Sequence, residues 1–216
     1  MKVGTDGVLL GAWTTIKDGD VLDIGTGTGL IAIMLAQRSK AATIDAVEME
    51  LDASQEATIN VKNSAWSDRI NIHNSSIQDY QTEKKYNCIV SNPPFFVAST
   101  KAPKSDRNAA RHTDTLSFNE LIKAVVHLLK ANGIFSLILP TTEAEQFIAL
   151  AKQEQLFLNR KCMVKPNPTK PAKRIIMEFS FDAVNVLEEE LIIETEIRHQ
   201  YTKEYISLTK DFYLKF

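Results

Sequence analysis

A chain of 216 residues, 44% hydrophobic and 24% charged, holds material for one full core and not for two comfortable ones, so a single soluble domain is expected. A formal net charge of -2 excludes a globally basic nucleic-acid binder and leaves such contacts to local patches. Cys88 and Cys162 form neither a zinc spacing nor a disulfide framework and read as reduced core residues; no apolar run reaches the ~20 residues of a membrane span.

The start, MKVGTDG, carries no signal-peptide pattern, which implies a cytoplasmic protein. A helix is expected over residues 8–16, with Asp6 placed to cap it. Short apolar runs at 21–24, 43–47, 70–72, 87–90 and 134–139 suit strands buried on both faces. Helical patterns at 30–38, 52–63, 117–130 and 141–153 separate them, and Gly133 reads as the stop of the third. Strand and helix alternating in this way imply right-handed crossovers and an α/β fold with a doubly wound, mostly parallel sheet. Residues 157–164 and 174–181 add an antiparallel strand pair joined by KPNPTKPAK, for seven strands in all. A tail follows, strand-like over 187–197 and helix-like over 203–212.

The first chemical motif is Asp23-Ile-Gly25-Thr-Gly27-Thr-Gly29, set where the first strand turns into a helix. Glycines there let the backbone pass close to a ligand beside the free amides of a helix N-terminus. A dinucleotide site wants G-x-G-x-x-G aimed at a pyrophosphate; this chain has G-x-G-x-G with an acid two positions ahead, which suits a cationic ligand better than a phosphate. Glu48 ends the second strand, where a carboxylate can accept both hydroxyls of a ribose. The pattern therefore calls for a ribose without phosphates. A glycine-rich turn alone is common in α/β proteins, and a strand-ending Glu can be merely solvated; it is the combination that carries weight.

That constellation resembles the class I S-adenosylmethionine-dependent methyltransferases. The resemblance implies S-adenosyl-L-methionine as cofactor, with Asp23, Gly25, Gly27 and Gly29 on its methionine part and Glu48 on its ribose. Adenine-modifying relatives carry an Asp at the end of the third strand; here Ser75-Ser76-Ile77 stands there, with Ser76 aligned and Ile77 next to it. A serine hydroxyl can accept the adenine amino hydrogen bond without charge assistance. Asp79 reads as a surface residue.

The fourth strand ends in Ile89-Val-Ser-Asn-Pro-Pro-Phe95. A residue before proline is held extended and proline has no N–H, so Asn92, Pro93 and Pro94 form a rigid set of acceptors. The Asn92 side-chain oxygen and the Pro93 carbonyl can each take one hydrogen of an exocyclic amino group, which turns the nitrogen lone pair toward a methyl donor. Phe95 offers a face on which a planar ring can stack, worth roughly 1–3 kcal/mol per base. This run resembles the motif of amino-group methyltransferases acting on adenine N6, with variants for guanine N2 and for a glutamine side chain. No metal is required by such a reaction. His112 lies on a polar loop and reads as solvated rather than as a base.

Two local cationic patches bear on the substrate. Lys101, Lys104, Arg107 and Arg111 follow the motif, and Arg160, Lys161, Lys165, Lys170, Lys173 and Arg174 cluster later. Phosphate contacts there, with Lys170, Lys173 and Arg174 the nearest to the loop, would position a polynucleotide while Asn92 to Phe95 read one extruded base. A solvated lysine loop is the plain alternative.

Along the whole chain, MKVGTDGVLLGAW, VSNPPF, AARHTDTLSFNELI, KRIIMEFS and YTKEYISLTKDFYLKF resemble the bacterial valine-tRNA adenine-N6 methyltransferase family, which modifies the adenine next to the anticodon. The resemblance implies a methyltransferase domain over residues 1–181 with a C-terminal extension, 182–216, packed on it. It also implies a tRNA partner, Thr5 and Asp6 near the cofactor, and a monomer without membrane or metal. Members of that family carry a further stretch ahead of MKVGTDG, so a late start relative to them is expected. A guanine-N2 rRNA or protein-glutamine methyltransferase and a non-catalytic RNA-binding module stay open as alternatives.

Overall fold

The computed structural model describes residues 4–40, 43–93 and 116–215. The chain opens with α1 (Thr5–Trp13) and alternates through β1 (Asp20–Ile24), α2 (Leu30–Arg38), β2 (Thr43–Glu48), α3 (Leu51–Lys62) and β3 (Ile70–Asn74). It continues through β4 (Tyr86–Ser91), α4 (Phe118–Leu128), β5 (Leu129–Pro140), α5 (Thr141–Gln153), β6 (Phe157–Lys165), β7 (Arg174–Ser180), β8 (Leu187–Ile192) and α6 (Lys203–Thr209).

One sheet runs in the order β3-β2-β1-β4-β5-β7-β6-β8. Its pairings are parallel except those made by β7, which runs antiparallel to both β5 and β6. The sheet has eight strands and not the expected seven. Leu187–Ile192 pairs in parallel with β6, so the C-terminal extension supplies the outermost strand of the sheet. Leu191 reaches the core while Glu188, Glu189 and Glu190 meet the cations of β6, which is why so acidic a segment docks there.

The strand order reverses between β1 and β4, and such a reversal opens a crevice at the strand ends in doubly wound sheets. The hydrophobic core lies on both faces of the sheet. Leu10, Leu35, Val90 and Ile176 belong to one cluster, and Leu22, Ile89, Phe135, Phe147 and Phe179 to the other.

Two local expectations are corrected. Gly133 does not end a helix: α4 stops at Leu128, and Gly133 lies within β5, beside an irregularity in the pairing of β4 with β5. A Cβ on Gly133 would stand 2.6 Å from the Leu129 side chain, so the residue is small because the strand folds over itself there. Nor does Asp6 cap α1. The N-cap is Gly4, which makes no side-chain cap, and Asp6 sits in the first turn.

Candidate active site

β1 and β4 bring the two motifs together. Ile24 pairs with Ser91, and the Ser91 hydroxyl donates to the Ile24 carbonyl at 2.9 Å. The next residues, Gly25 and Asn92, therefore leave the sheet side by side. On the other flank, the N–H groups of Gly25 and Thr26 donate to the Val47 carbonyl at 2.9 and 3.1 Å, which folds the glycine turn onto the end of β2. Gly25, Gly27 and Gly29 have φ of 71, 59 and 85°, conformations that side chains resist. Nothing lies within 4 Å of where a Gly25 Cβ would be, so open space adjoins the turn.

Glu48 is buried at the end of β2, and both its oxygens already hold backbone. Oε2 accepts from Gly27 N–H at 2.8 Å and Oε1 from Glu50 N–H at 2.9 Å. A carboxylate has about four acceptor directions. Two remain for a pair of vicinal hydroxyls.

Asp23 is fully buried. Its Oδ2 accepts the Thr26 hydroxyl at 2.6 Å, whereas Oδ1 has no hydrogen-bond partner. Burial is the main cause that lifts its carboxyl from 3.8 to about 7; Thr26 and the Ala32 amide pull it back, and the neighbouring Glu48 charge adds to the rise. An unpaired buried carboxylate oxygen calls for a donor, ideally a cation. Full burial means that a ligand reaches it only if the surroundings move. The orphaned oxygen, the open space at Gly25 and the unused acceptor directions of Glu48 fit the ammonium and ribose of S-adenosylmethionine.

At the third-strand end, Ser76 donates its hydroxyl to Asp79 Oδ2 at 2.7 Å and accepts from the Asp79 N–H at 3.2 Å. An acid is thus present at this corner, brought by Asp79 rather than by the aligned position. Ile77 is buried in the same apolar cluster as Leu22, Ile24 and Val47. Asn74, which no motif marked, ties β3 to the end of β2 by donating to the carbonyls of Glu48 and Met49 at 2.9 and 3.2 Å.

Asn92 is half-buried and Pro93 buried. The first turn of α1 lies over them: a Cβ on Gly7 would stand 4.0 Å from Asn92 Nδ2 and 3.5 Å from the Leu30 side chain. Thr5, in the same turn, is exposed. Asp6 pairs with Arg174, Nε to Oδ2, at 2.8 Å. Pro94, Phe95, Lys101, Lys104, Arg107, Arg111 and His112 lie outside the described residues.

The second basic patch divides in two. Arg160 lies over the Trp13 ring at 3.9 Å and pairs with Glu189 at 3.0 Å and Glu178 at 3.6 Å. Lys161 pairs with Glu188 at 3.0 Å and Lys165 with Glu190 at 2.6 Å. These three cations are balanced by acids of β8 and β7. Lys170 and Lys173 are exposed on the β6–β7 loop. Because Arg174 pairs with Pro140, the last residue of β5, that loop stands at the same edge of the sheet as Asn92.

Among the described residues no group of three His, Cys, Asp or Glu could hold a metal, and no helix is long and apolar enough to cross a membrane.

Residues 3–153 match the methyltransferase small domain family. The tRNA1(Val) (adenine(37)-N6)-methyltransferase of Flavobacterium psychrophilum is 48% identical over 100% of this chain and 93% of its own length. The enzyme of the same name from Trichodesmium erythraeum is 49% identical over 100% and 92%. Among solved structures, a predicted O-methyltransferase from Agrobacterium tumefaciens superposes with a TM-score of 0.72 at 16% identity, covering 95% of this chain and 96% of that one. The glycopeptide N-methyltransferase MtfA complexed with S-adenosyl-L-methionine gives 0.60 at 12% identity, with 81% and 94% covered. At those identities the likeness concerns the fold. Motif spacing, strand order and full-length similarity agree: the chain belongs to the methyltransferase small domain family, alongside the tRNA1(Val) (adenine(37)-N6)-methyltransferases.

Proposed function

We propose that this protein transfers a methyl group from S-adenosyl-L-methionine to the exocyclic N6 of an adenine in tRNA, adenine 37 of valine tRNA as in its relatives. The observation that carries the reading is the adjacency of Gly25 and Asn92, where β1 and β4 leave the sheet together. That adjacency supports reading the two as a cofactor turn and a two-acceptor clamp at neighbouring strand ends.

The bound cofactor supplies an electrophilic methyl on a sulfonium, an excellent leaving group. The protein's part is placement. Glu48 accepts the ribose hydroxyls, and Asp23 receives the ammonium once the turn admits it. Thr5 borders this side, and the Ser76–Asp79 pair and Ile77 form the adenine wall. Asn92 Oδ1 and the Pro93 carbonyl each hold one hydrogen of the target amino group, so that the nitrogen lone pair faces the methyl carbon. On methylation the target nitrogen would become acidic, and Asn92 Oδ1 and the Pro93 carbonyl would pass one of the held protons to water. Fixing the line of attack can contribute ~7–11 kcal/mol. Lys170 and Lys173 contact phosphates, and Pro94 and Phe95 with Lys101, Lys104, Arg107 and Arg111 complete the base and RNA site. A cytoplasmic monomer suits this task.

The test is transfer of labelled methyl to total tRNA, ribosomal RNA, DNA and protein, followed by mass spectrometry of the digested product. N6-methyladenosine in tRNA is expected. Label in methylguanosine, or in a protease-sensitive product, would overturn the substrate assignment.

A further inference from the structure

The ion pair between Asp6 and Arg174 joins two places that the proposed chemistry uses separately. Asp6 stands in the first turn of α1, one residue before Gly7, where a built Cβ would stand 4.0 Å from Asn92 Nδ2. Arg174 is the first residue of β7, directly after the loop that carries Lys170 and Lys173. Its Nε meets Asp6 Oδ2 at 2.8 Å, and its Nη1 donates to the Lys173 carbonyl at 2.9 Å. Both side chains are partly shielded, at 31% and 25% exposure.

Two physical facts decide what such a pair can do. Partly exposed ion pairs add little to stability, so this one is poorly suited to holding the fold together. Yet α1 starts without a side-chain cap, so little in the helix itself fixes its first turn. A charge-assisted, directional contact there adds to the packing of Gly7 beside Leu30 in setting where that turn lies, and the turn borders Asn92. The Nδ2 side of the Asn92 amide faces Gly7, which leaves Oδ1 for the target amino group.

We propose that Arg174 is a positioning residue: by clasping Asp6 it seats the first turn of α1 over Asn92 and keeps the amide's oxygen aimed at the reacting nitrogen. Arg174 thereby acts through Asp6 and Gly7 rather than as a phosphate contact. The strand that follows the RNA-facing loop thus sets the geometry of the catalytic amide. This rests on the methyl-transfer reading above.

The experiment compares Asp6→Asn, Arg174→Gln, Arg174→Lys and the Asp6→Asn/Arg174→Gln double variant with the wild type. It measures kcat and KM for tRNA at saturating cofactor, cofactor Kd, and amide hydrogen exchange in cofactor-free protein. The two neutralising variants should each lower kcat by a similar factor, about twofold to fivefold, the most that losing a partly exposed ion pair can shift the seating of the turn. The double variant should be no worse than either, the mark of one shared interaction. Arg174→Lys should fall between wild type and Arg174→Gln, and exchange should quicken in the first turn of α1 in both neutralised proteins. A rise in KM alone for Arg174→Gln, with Asp6→Asn silent, would make Arg174 a phosphate contact and overturn the clasp. So would additive losses, unchanged exchange, or a cofactor defect confined to Asp6→Asn. Should the wild type transfer no methyl to tRNA, the functional reading fails, and the exchange measurement still decides the clasp.

Discussion

The carboxylate of Glu48 holds the backbone N–H of Gly27 at 2.8 Å, so the acid proposed to receive the ribose also grips the glycine turn. Its second oxygen takes the Glu50 N–H at 2.9 Å, which makes the side chain a brace of the turn.

Replacing Glu48 by Ala should therefore act twice. Hydrogen bonds to a charged group contribute ~1.5–3 kcal/mol each, so cofactor Kd should rise about tenfold to a hundredfold, and the cofactor-free protein should melt at a lower temperature. Calorimetry and a thermal scan read the two effects. A normal Kd with a lowered melting temperature would leave Glu48 as a brace only.

Asp23 should make both stability and cofactor affinity depend on pH. Its folded-state value of about 7 lies above the ordinary 3.8, so the folded chain keeps a proton that the unfolded chain has lost. Between about pH 4 and pH 7 this group accordingly lowers the unfolding free energy as pH rises, by on the order of 4 kcal/mol in total. Asp23→Asn should flatten that slope in denaturant titrations. A cation bound beside Asp23 wants the carboxylate ionised, so cofactor affinity should climb up to about tenfold per unit as pH rises toward 7. It should fall again as the ligand's own α-ammonium titrates near 8. Proton release on binding, measured by calorimetry in two buffers of different ionisation enthalpy, checks this. An affinity flat from pH 6 to 8 would separate Asp23 from the ligand.

For Asn92→Ala the expected defect is in the chemical step. Cofactor Kd should stay near wild type while kcat on tRNA drops about a hundredfold or more, because one of the two acceptors that orient the amino group is gone. Single-turnover kinetics with labelled cofactor separate the two quantities. Near-normal turnover would remove Asn92 from its role.

The lysines of the second patch should divide by their partners. Lys170→Glu with Lys173→Glu should raise KM for tRNA and shallow its salt dependence by about one logarithmic slope unit per lost phosphate contact. Lys161→Ala and Lys165→Ala, whose cations already meet Glu188 and Glu190, should leave both nearly unchanged. Filter binding over a salt series distinguishes the pairs.

Much of this arrangement is legible in sequence because it is local. Strand-length apolar runs and helical periods placed the alternating elements, and the glycine spacing with Asp23 and Glu48 marked the turn that the structure sets beside Asn92. What stayed hidden depends on contacts distant along the chain. Arg160, Lys161 and Lys165 look like free cations until β8 brings acids of residues 188–190 alongside. The Asp6–Arg174 pair spans 168 positions, and no periodicity announces it. Ser76 departs from the pattern; three residues on, Asp79 is exposed, as expected of a surface residue, and its carboxylate accepts the Ser76 hydroxyl. Gly133 resembled a helix stop because the same residue type serves a tight strand irregularity, and only packing against Leu129 tells the two apart.

The pairing of β6 with β8 has a consequence for life in a crowded solution. A sheet that ends in an open strand offers unpaired amides and carbonyls to any extended chain that drifts past. Here that outermost strand carries Glu188 and Glu190 toward one face and Glu189 toward the other, each bound to a cation of the strand inside it. An incoming strand would have to lie beside a row of carboxylates whose partners are already taken. The acidic tail thereby hems one of the two margins of the sheet, the other being β3.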